Sequence, residues 1–364
     1  MNASYRLLLG FLVFSSWVWL PACSQQLTLT RINSAEQKPN NVWVFFTVEH
    51  GDEPVGGLEA GDFEIYEDGS LVSPFESQQV ILNPEVASVM YTMLLLDMSG
   101  SITESGRIDD LVDAAQLFTE QVGKTQKVGV YAFDGAEHIR PVVPFTETEG
   151  AVKGGLDGLR KYVPRDPSTN LHGAVVEGLA ELHGALERER KPLKFGTLVV
   201  FSDGADRAAR VSRDEMLEEI RKDEYESFDM YAIGIGDEKE LEAASLRDIG
   251  RDGTEEGTDH AKVQEAFARI ADTIEAHATR FYLLSYCTPA RKGTHEVEIR
   301  VQTKEPKQAR GNLGYDFDAD GFGPPPKCDP ERAPTFRLDD VAVPQSSRSR
   351  QHTSAKGAAD AKVE

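Results

Sequence analysis

The sequence predicts an α/β protein: a doubly wound, mostly parallel sheet with helices on both faces, preceded by a small all-β, sandwich-like region. Three observations carry this. Strand-like and helix-like patterns alternate between about residues 88 and 285. The first strand of that stretch, Met90 to Leu96, is continuously apolar, as a strand buried on both faces is. The preceding stretch, 42–86, holds short β-branched and aromatic runs broken by turn signals. The 364 residues suit two domains. A composition 40% hydrophobic and 27% charged is that of a folded chain. The net charge of −22 repels phosphate backbones, which excludes nucleic acid as the main partner. It also disfavours electrostatic docking on anionic lipid.

Residues 1–22 read as an export signal: Arg6 precedes an apolar run, Leu7 to Leu20, too short for a membrane span. The run ends in Leu20-Pro21-Ala22-Cys23. This resembles a bacterial lipobox, which implies lipidation of Cys23 and a lipid anchor in the cell envelope. Ser24 after the cysteine resembles the pattern for export to the outer membrane. An ordinary secretory signal cut near Ala22 is the other reading. Residues 24–41 are polar and are expected to be a tether.

The elements follow in order. Asn41 to Glu49 is a strand, Asp62 to Glu67 alternates as a half-buried strand, and Asp68-Gly69 is a hairpin turn. After the apolar strand 90–96, Ile108, Leu111, Val112, Ala115, Phe118 and Val122 form one helical stripe. Lys127 to Phe133 is a strand; 148–161 and 170–189 are helices. Gly196 to Phe201 and Phe228 to Ile235 are strands, each followed by a helix, at 212–223 and 238–248. Residues 261–279 form a helix with Val263, Ala266, Phe267, Ile270 and Ile274 on one side, and Phe281 to Tyr286 is a strand. Residues 286–328 are expected to be a C-terminal strand and loop extension, and 329–364 a disordered tail. In an oxidising compartment Cys287 and Cys328 either pair or stay as thiols; spacing does not decide.

Three distant segments stand where strands end or helices begin: Asp97-Met98-Ser99-Gly100-Ser101, Ser168-Thr169-Asn170 and Ser202-Asp203-Gly204. In an open parallel sheet the loops after the strands gather at one edge, so the fold can unite them. Asp97, Ser99, Ser101, Thr169 and Asp203 are all hard oxygen donors. That set suits Mg²⁺ first, with Mn²⁺ or Ca²⁺ as alternatives. The bland reading is that Asp97 caps a turn and the serines cap the next helix.

With these residues in place, the chain resembles a von Willebrand factor type A (vWA) domain over 88–285, with its metal-ion-dependent adhesion site (MIDAS). The phrase Gly57 to Gly69 is similar to the β-domain that precedes such modules in secreted bacterial proteins. The resemblance implies that Ser99 and Ser101 bind the metal directly, Thr169 directly or through water, and Asp97 and Asp203 largely through water. It implies a protein partner whose acidic residue fills the open position. The function expected is adhesion or scaffolding of an envelope complex; a metal-independent structural component is the alternative. No enzyme is expected, since the chain lacks a nucleophile elbow, a P-loop and a zincin motif. A haloacid-dehalogenase-like phosphatase would want a second Asp where Ser99 stands.

Lesser signals complete the reading. Asp316 to Phe322 resembles half an EF-hand, but Lys327 stands where the final Glu belongs, so a solvated acidic loop is expected. Asp206, near the metal loops, either tunes them or is a plain surface residue, the expected reading; His172 is expected in a packing or surface role rather than as a general base. Arg207 and Arg210 either attract an acidic ligand or are ordinary solvated charge.

Overall fold

The computed structural model describes residues 25–336 except 52, 204–205, 236–245, 258, 304–307 and 324–327. The signal segment, Cys23 and the tail beyond 336 lie outside the described residues. Along the chain come β1 (Gln25–Gln37), β2 (Asn41–His50), β3 (Glu53–Pro54), β4 (Phe63–Glu67), β5 (Ser70–Leu71), helix α1 (Pro74–Ser77) and β6 (Val80–Leu82). Then follow β7 (Ser88–Asp97), α2 (Gly100–Thr103), α3 (Ile108–Val122), β8 (Lys127–Phe133), β9 (Arg140–Thr146) and α4 (Glu149–Leu159). Next are α5 (Leu171–Glu187), β10 (Leu193–Ser202), α6 (Arg213–Ile220), β11 (Asp229–Ile235), α7 (Leu246–Ile249), β12 (Gly253–Gly257) and α8 (His260–Thr279). The chain closes with β13 (Phe281–Cys287), β14 (Thr294–Gln302) and β15 (Ala309–Asp318).

The expected α/β unit is a six-stranded sheet in the order β12-β11-β10-β7-β8-β9. Every neighbouring pair is parallel except β8 with the edge strand β9. Side chains of β7 alternate between two cores. Leu94 and Leu96 pack with α3, α4 and α8, while Met93 and Leu95 pack with α5 and α6. Burial on both faces is the reason for the unbroken apolar run. The order of connection reverses between β7 and β10, so the crevice of this doubly wound sheet opens beyond their carboxyl ends.

The β region is larger than its sequence signal. A second sheet runs β5-β4-β14-β15-β1-β2-β13-β6, with β3 on β2. It folds over on itself. Flat, β4 and β2 would stand about 19 Å apart across four strand spacings, yet the Phe46 and Phe63 rings meet at 5.6 Å. Three expectations are corrected here. The polar stretch 24–41 is not a tether but holds β1, whose buried Leu27 and Leu29 alternate with exposed neighbours and which pairs along its length with β2. The strand Phe281–Cys287, grouped in sequence with the α/β unit, pairs with β2 and β6 instead. The 286–328 extension supplies two central strands, and Asp316 and Asp318 lie on β15 opposite Glu296 and Thr294, not in an EF-hand-like loop.

The disulfide is formed: Cys287 and Cys328 are bonded, with Cα atoms 5.9 Å apart. The start of the expected tail is placed as well. The Asp329 and Arg332 carbonyls accept from Asn41 Nδ2 and Trp43 Nε1, at 2.5 and 2.9 Å. The two sheets meet through Trp43, Phe45, Leu193, Phe281 and Leu283. Phe195 of β10 packs on Phe281 at 4.6 Å, and Arg280 pairs with Glu49 at 2.7 Å. No helix among the described residues is long and apolar enough to cross a membrane.

Candidate metal centre

Asp97 ends β7, the central strand, and is fully buried. Its two oxygens are committed locally. Oδ1 accepts the Ser99 backbone N–H at 2.9 Å, an Asx turn that swings the chain off the strand into α2. Oδ2 accepts the Ser202 hydroxyl at 2.7 Å, which fastens the end of β10 to the end of β7. The turn places Ser99 at the N-cap of α2 and Ser101 on its first turn. Ser99 Oγ and Ser101 Oγ are 3.0 Å apart, and Ser101 Oγ donates to Asp203 Oδ1 at 2.9 Å. Four of the five sequence-derived residues are therefore joined by direct contacts.

The loop that carries Thr169 is tied through its backbone to the loops that carry the other four. The Gly100 N–H donates to Pro167 O at 2.9 Å, which lays the 165–169 loop over α2. A Cβ on Gly100 would stand 3.1 Å from Pro167 Cβ and 3.2 Å from its carbonyl, so the glycine of the motif is a condition of this approach. The Thr169 carbonyl accepts the N–H groups of Arg207 and Ala208, both at 2.9 Å. Thr169 is thus buried between the loops after β7 and β10.

Burial, and then the charge of Asp203, push the Asp97 carboxyl from 3.8 to about 6. Two carboxylates close enough to raise one another, one of them buried, are a costly arrangement without a cation. The oxygen spacing also fits one. Ligands at about 2.1 Å around octahedral Mg²⁺ stand about 3 Å apart along an edge, the separation found for Ser99 Oγ and Ser101 Oγ, the two direct ligands expected. The donor set and its geometry therefore suit a small hard cation.

Residues outside the five also shape the site. Asp134 directly follows β8, next to the end of β7 where Asp97 stands, and is almost fully buried. It accepts from the Arg165 N–H at 2.9 Å, the Tyr162 hydroxyl at 3.0 Å, the Ala136 N–H at 2.8 Å and Arg140 Nη2 at 3.2 Å. This carboxylate holds the loop that carries Thr169. Asp206, expected at the surface, is 4% exposed and lies 3.6 Å from His172 Nδ1. Arg210 donates to Gly135 O at 2.6 Å and pairs with Asp166 at 3.2 Å, so it ties loops together. A carboxylate directly after a buried strand is the signal by which Asp134 could have been found.

Residues 92–205 match the von Willebrand factor type A domain model, and this part of the chain is a vWA domain. No curated protein matches the sequence. Among solved structures, proximal thread matrix protein 1 of the mussel byssus is 16% identical over 52% of this chain and 48% of that one, with a TM-score of 0.42. Another form of that protein is described with a zinc-occupied MIDAS motif. A von Willebrand factor type A protein from Catenulispora acidiphila is 12% identical over 82% of this chain and 75% of that one, with a TM-score of 0.40. The pilus adhesin SpaC from Lactobacillus rhamnosus GG is 10% identical over 79% and 47%, with a TM-score of 0.42. The match to the mussel protein spans about half of that protein's length.

Proposed function

We propose that this protein binds a protein partner through a divalent cation, Mg²⁺ first, held by Ser99, Ser101, Thr169, Asp97 and Asp203. One observation carries the reading: Ser101 Oγ stands 3.0 Å from Ser99 Oγ and 2.9 Å from Asp203 Oδ1, beside a buried Asp97. When bound, such a cation supplies an electrophilic position that takes a carboxylate oxygen. The chain's own residues do the rest. Ser99 and Ser101 offer neutral oxygens, which leave the charge of a cation less quenched than carboxylates would. Asp97, turned by Ser99 N–H and Ser202, sets negative charge behind them. The partner then presents an Asp or Glu, which joins two surfaces that would otherwise repel, since this chain carries −22.

The reading is of a binding module with no reaction, in an exported and lipid-anchored protein. The anchor rests on Cys23 and its flanking sequence, and the outer membrane on Ser24. Adhesion or scaffolding of an envelope complex are the roles this supports. A second reading has its own observation: the hydroxyls already bond to one another and to Asp203, so the loops can hold together metal-free and serve a permanent, structural contact. Capture of envelope proteins by the full chain, with Mg²⁺ and then with EDTA, separates the two. Capture lost in EDTA and lost in Asp203→Ala supports the metal reading; capture that survives both supports the structural one.

A further inference from the structure

The loops around the metal centre carry charge unevenly. On the Thr169 side stand Arg165, four residues earlier, and Arg207, whose N–H is bonded to the Thr169 carbonyl. Both side chains are exposed, and neither has an ion pair or side-chain hydrogen bond among the described residues. Two nearby arginines are engaged instead: Arg210 with Asp166 and Gly135 O, Arg140 with Asp134 and the Tyr162 ring. Carboxylates of these loops are also spoken for. Asp166 takes Ser168 and Arg210, Asp134 takes Arg165 N–H and Arg140, and Asp206 takes Ala209 N–H beside His172. On the α2 side the exposed Glu104 lies three residues past Ser101. The rim therefore carries two arginines beside Thr169, while the Ser101 side holds the carboxylate of Glu104 with Arg107 three residues beyond it.

Arg165 and Arg207 thus place two exposed guanidinium groups, unpaired among the described residues, beside the loop that carries Thr169. An arginine fork matches a carboxylate with two donors, and free rim charges steer and orient an incoming partner. We propose that the partner's binding segment is acidic beyond its metal-bound residue, with two flanking carboxylates that pair with Arg165 and Arg207. This rests on the metal reading above. The segment then lies in one direction, its acidic flank over Thr169 and its neutral flank over Glu104.

The test is selection from a displayed library of random peptides on the full-length chain in Mg²⁺, with elution by EDTA. The expected peptides hold one Asp or Glu with two further acidic residues within a few positions on one side. Synthetic versions should bind about fivefold more tightly than analogues with neutral flanks at low salt, a preference that shrinks as salt is raised. In the double variant Arg165→Glu, Arg207→Glu that preference should vanish or invert; its circular dichroism and melting temperature establish that it folds. EDTA-eluted peptides with a single acidic residue and neutral flanks would overturn this inference and leave the metal site standing. A preference that survives the double charge reversal would overturn it too. A library with no EDTA-eluted binder would remove the metal reading and this inference with it.

Discussion

The buried Asp97 makes the metal-free domain less stable at neutral pH than it is in acid. Its carboxyl is raised from 3.8 to about 6, first by burial and then by Asp203. The folded state thus holds the proton more tightly than the unfolded chain does. The associated stability is fully present below about pH 4, is lost as pH rises to about 6, and is absent at pH 7. The difference is worth about 3 kcal/mol. Asp97→Asn removes the charge and keeps the shape. Its amide retains one acceptor for Ser99 N–H or Ser202 Oγ and loses the other, which returns part of the gain. The expected net effect in EDTA at about pH 7 is a stabilisation of about 1–3 kcal/mol, read as a higher midpoint in urea denaturation. At about pH 4 variant and wild type should converge. Excess Mg²⁺ at neutral pH should raise the wild-type midpoint and leave the variant's unchanged. A variant no more stable than wild type at neutral pH in EDTA would refute the electrostatic reasoning.

Other outcomes follow from the same geometry. Ser202→Ala removes the hydroxyl that donates to Asp97 Oδ2, so the metal-free domain should lose about 1.5–3 kcal/mol at neutral pH and less in acid, by denaturation at the two pH values. Gly100→Val sets side-chain atoms against Pro167 and should weaken Mg²⁺ binding at least several-fold by calorimetry, with far-ultraviolet circular dichroism unchanged. Cys328→Ser opens a link spanning 41 residues, which should lower the stability of the β region by about 2–4 kcal/mol while Mg²⁺ affinity stays as it was.

Much of the α/β domain was legible because its signals are local. Continuous apolar runs and three- or four-residue stripes mark β7, α3 and α8 without knowledge of their partners. The five candidate donors carry local signals of the same kind, since each stands at a strand end or helix start. The β region was harder to read. Its sheet joins β1 to β15 and β4 to β14, strands separated by the whole α/β domain, and no local pattern reports such pairing. β1 reads as a tether because its alternation breaks at a bulge between Arg31 and Asn33, which blurs the period of two. Asp134 carries no motif and Asp206 reads as a surface residue, because their work is to hold loops and the partners that reveal it are scattered through the sequence.

The central claim is a cation held by Asp97, Ser99, Ser101, Thr169 and Asp203. Calorimetric titration of Mg²⁺ and Mn²⁺ into the full chain, with and without excess acetate as a carboxylate mimic, tests it most directly beside Ser101→Ala and Asp203→Ala. The account expects one saturable site, strengthened by acetate and lost in both variants. No saturable binding under either condition, or binding that both variants retain, would contradict it.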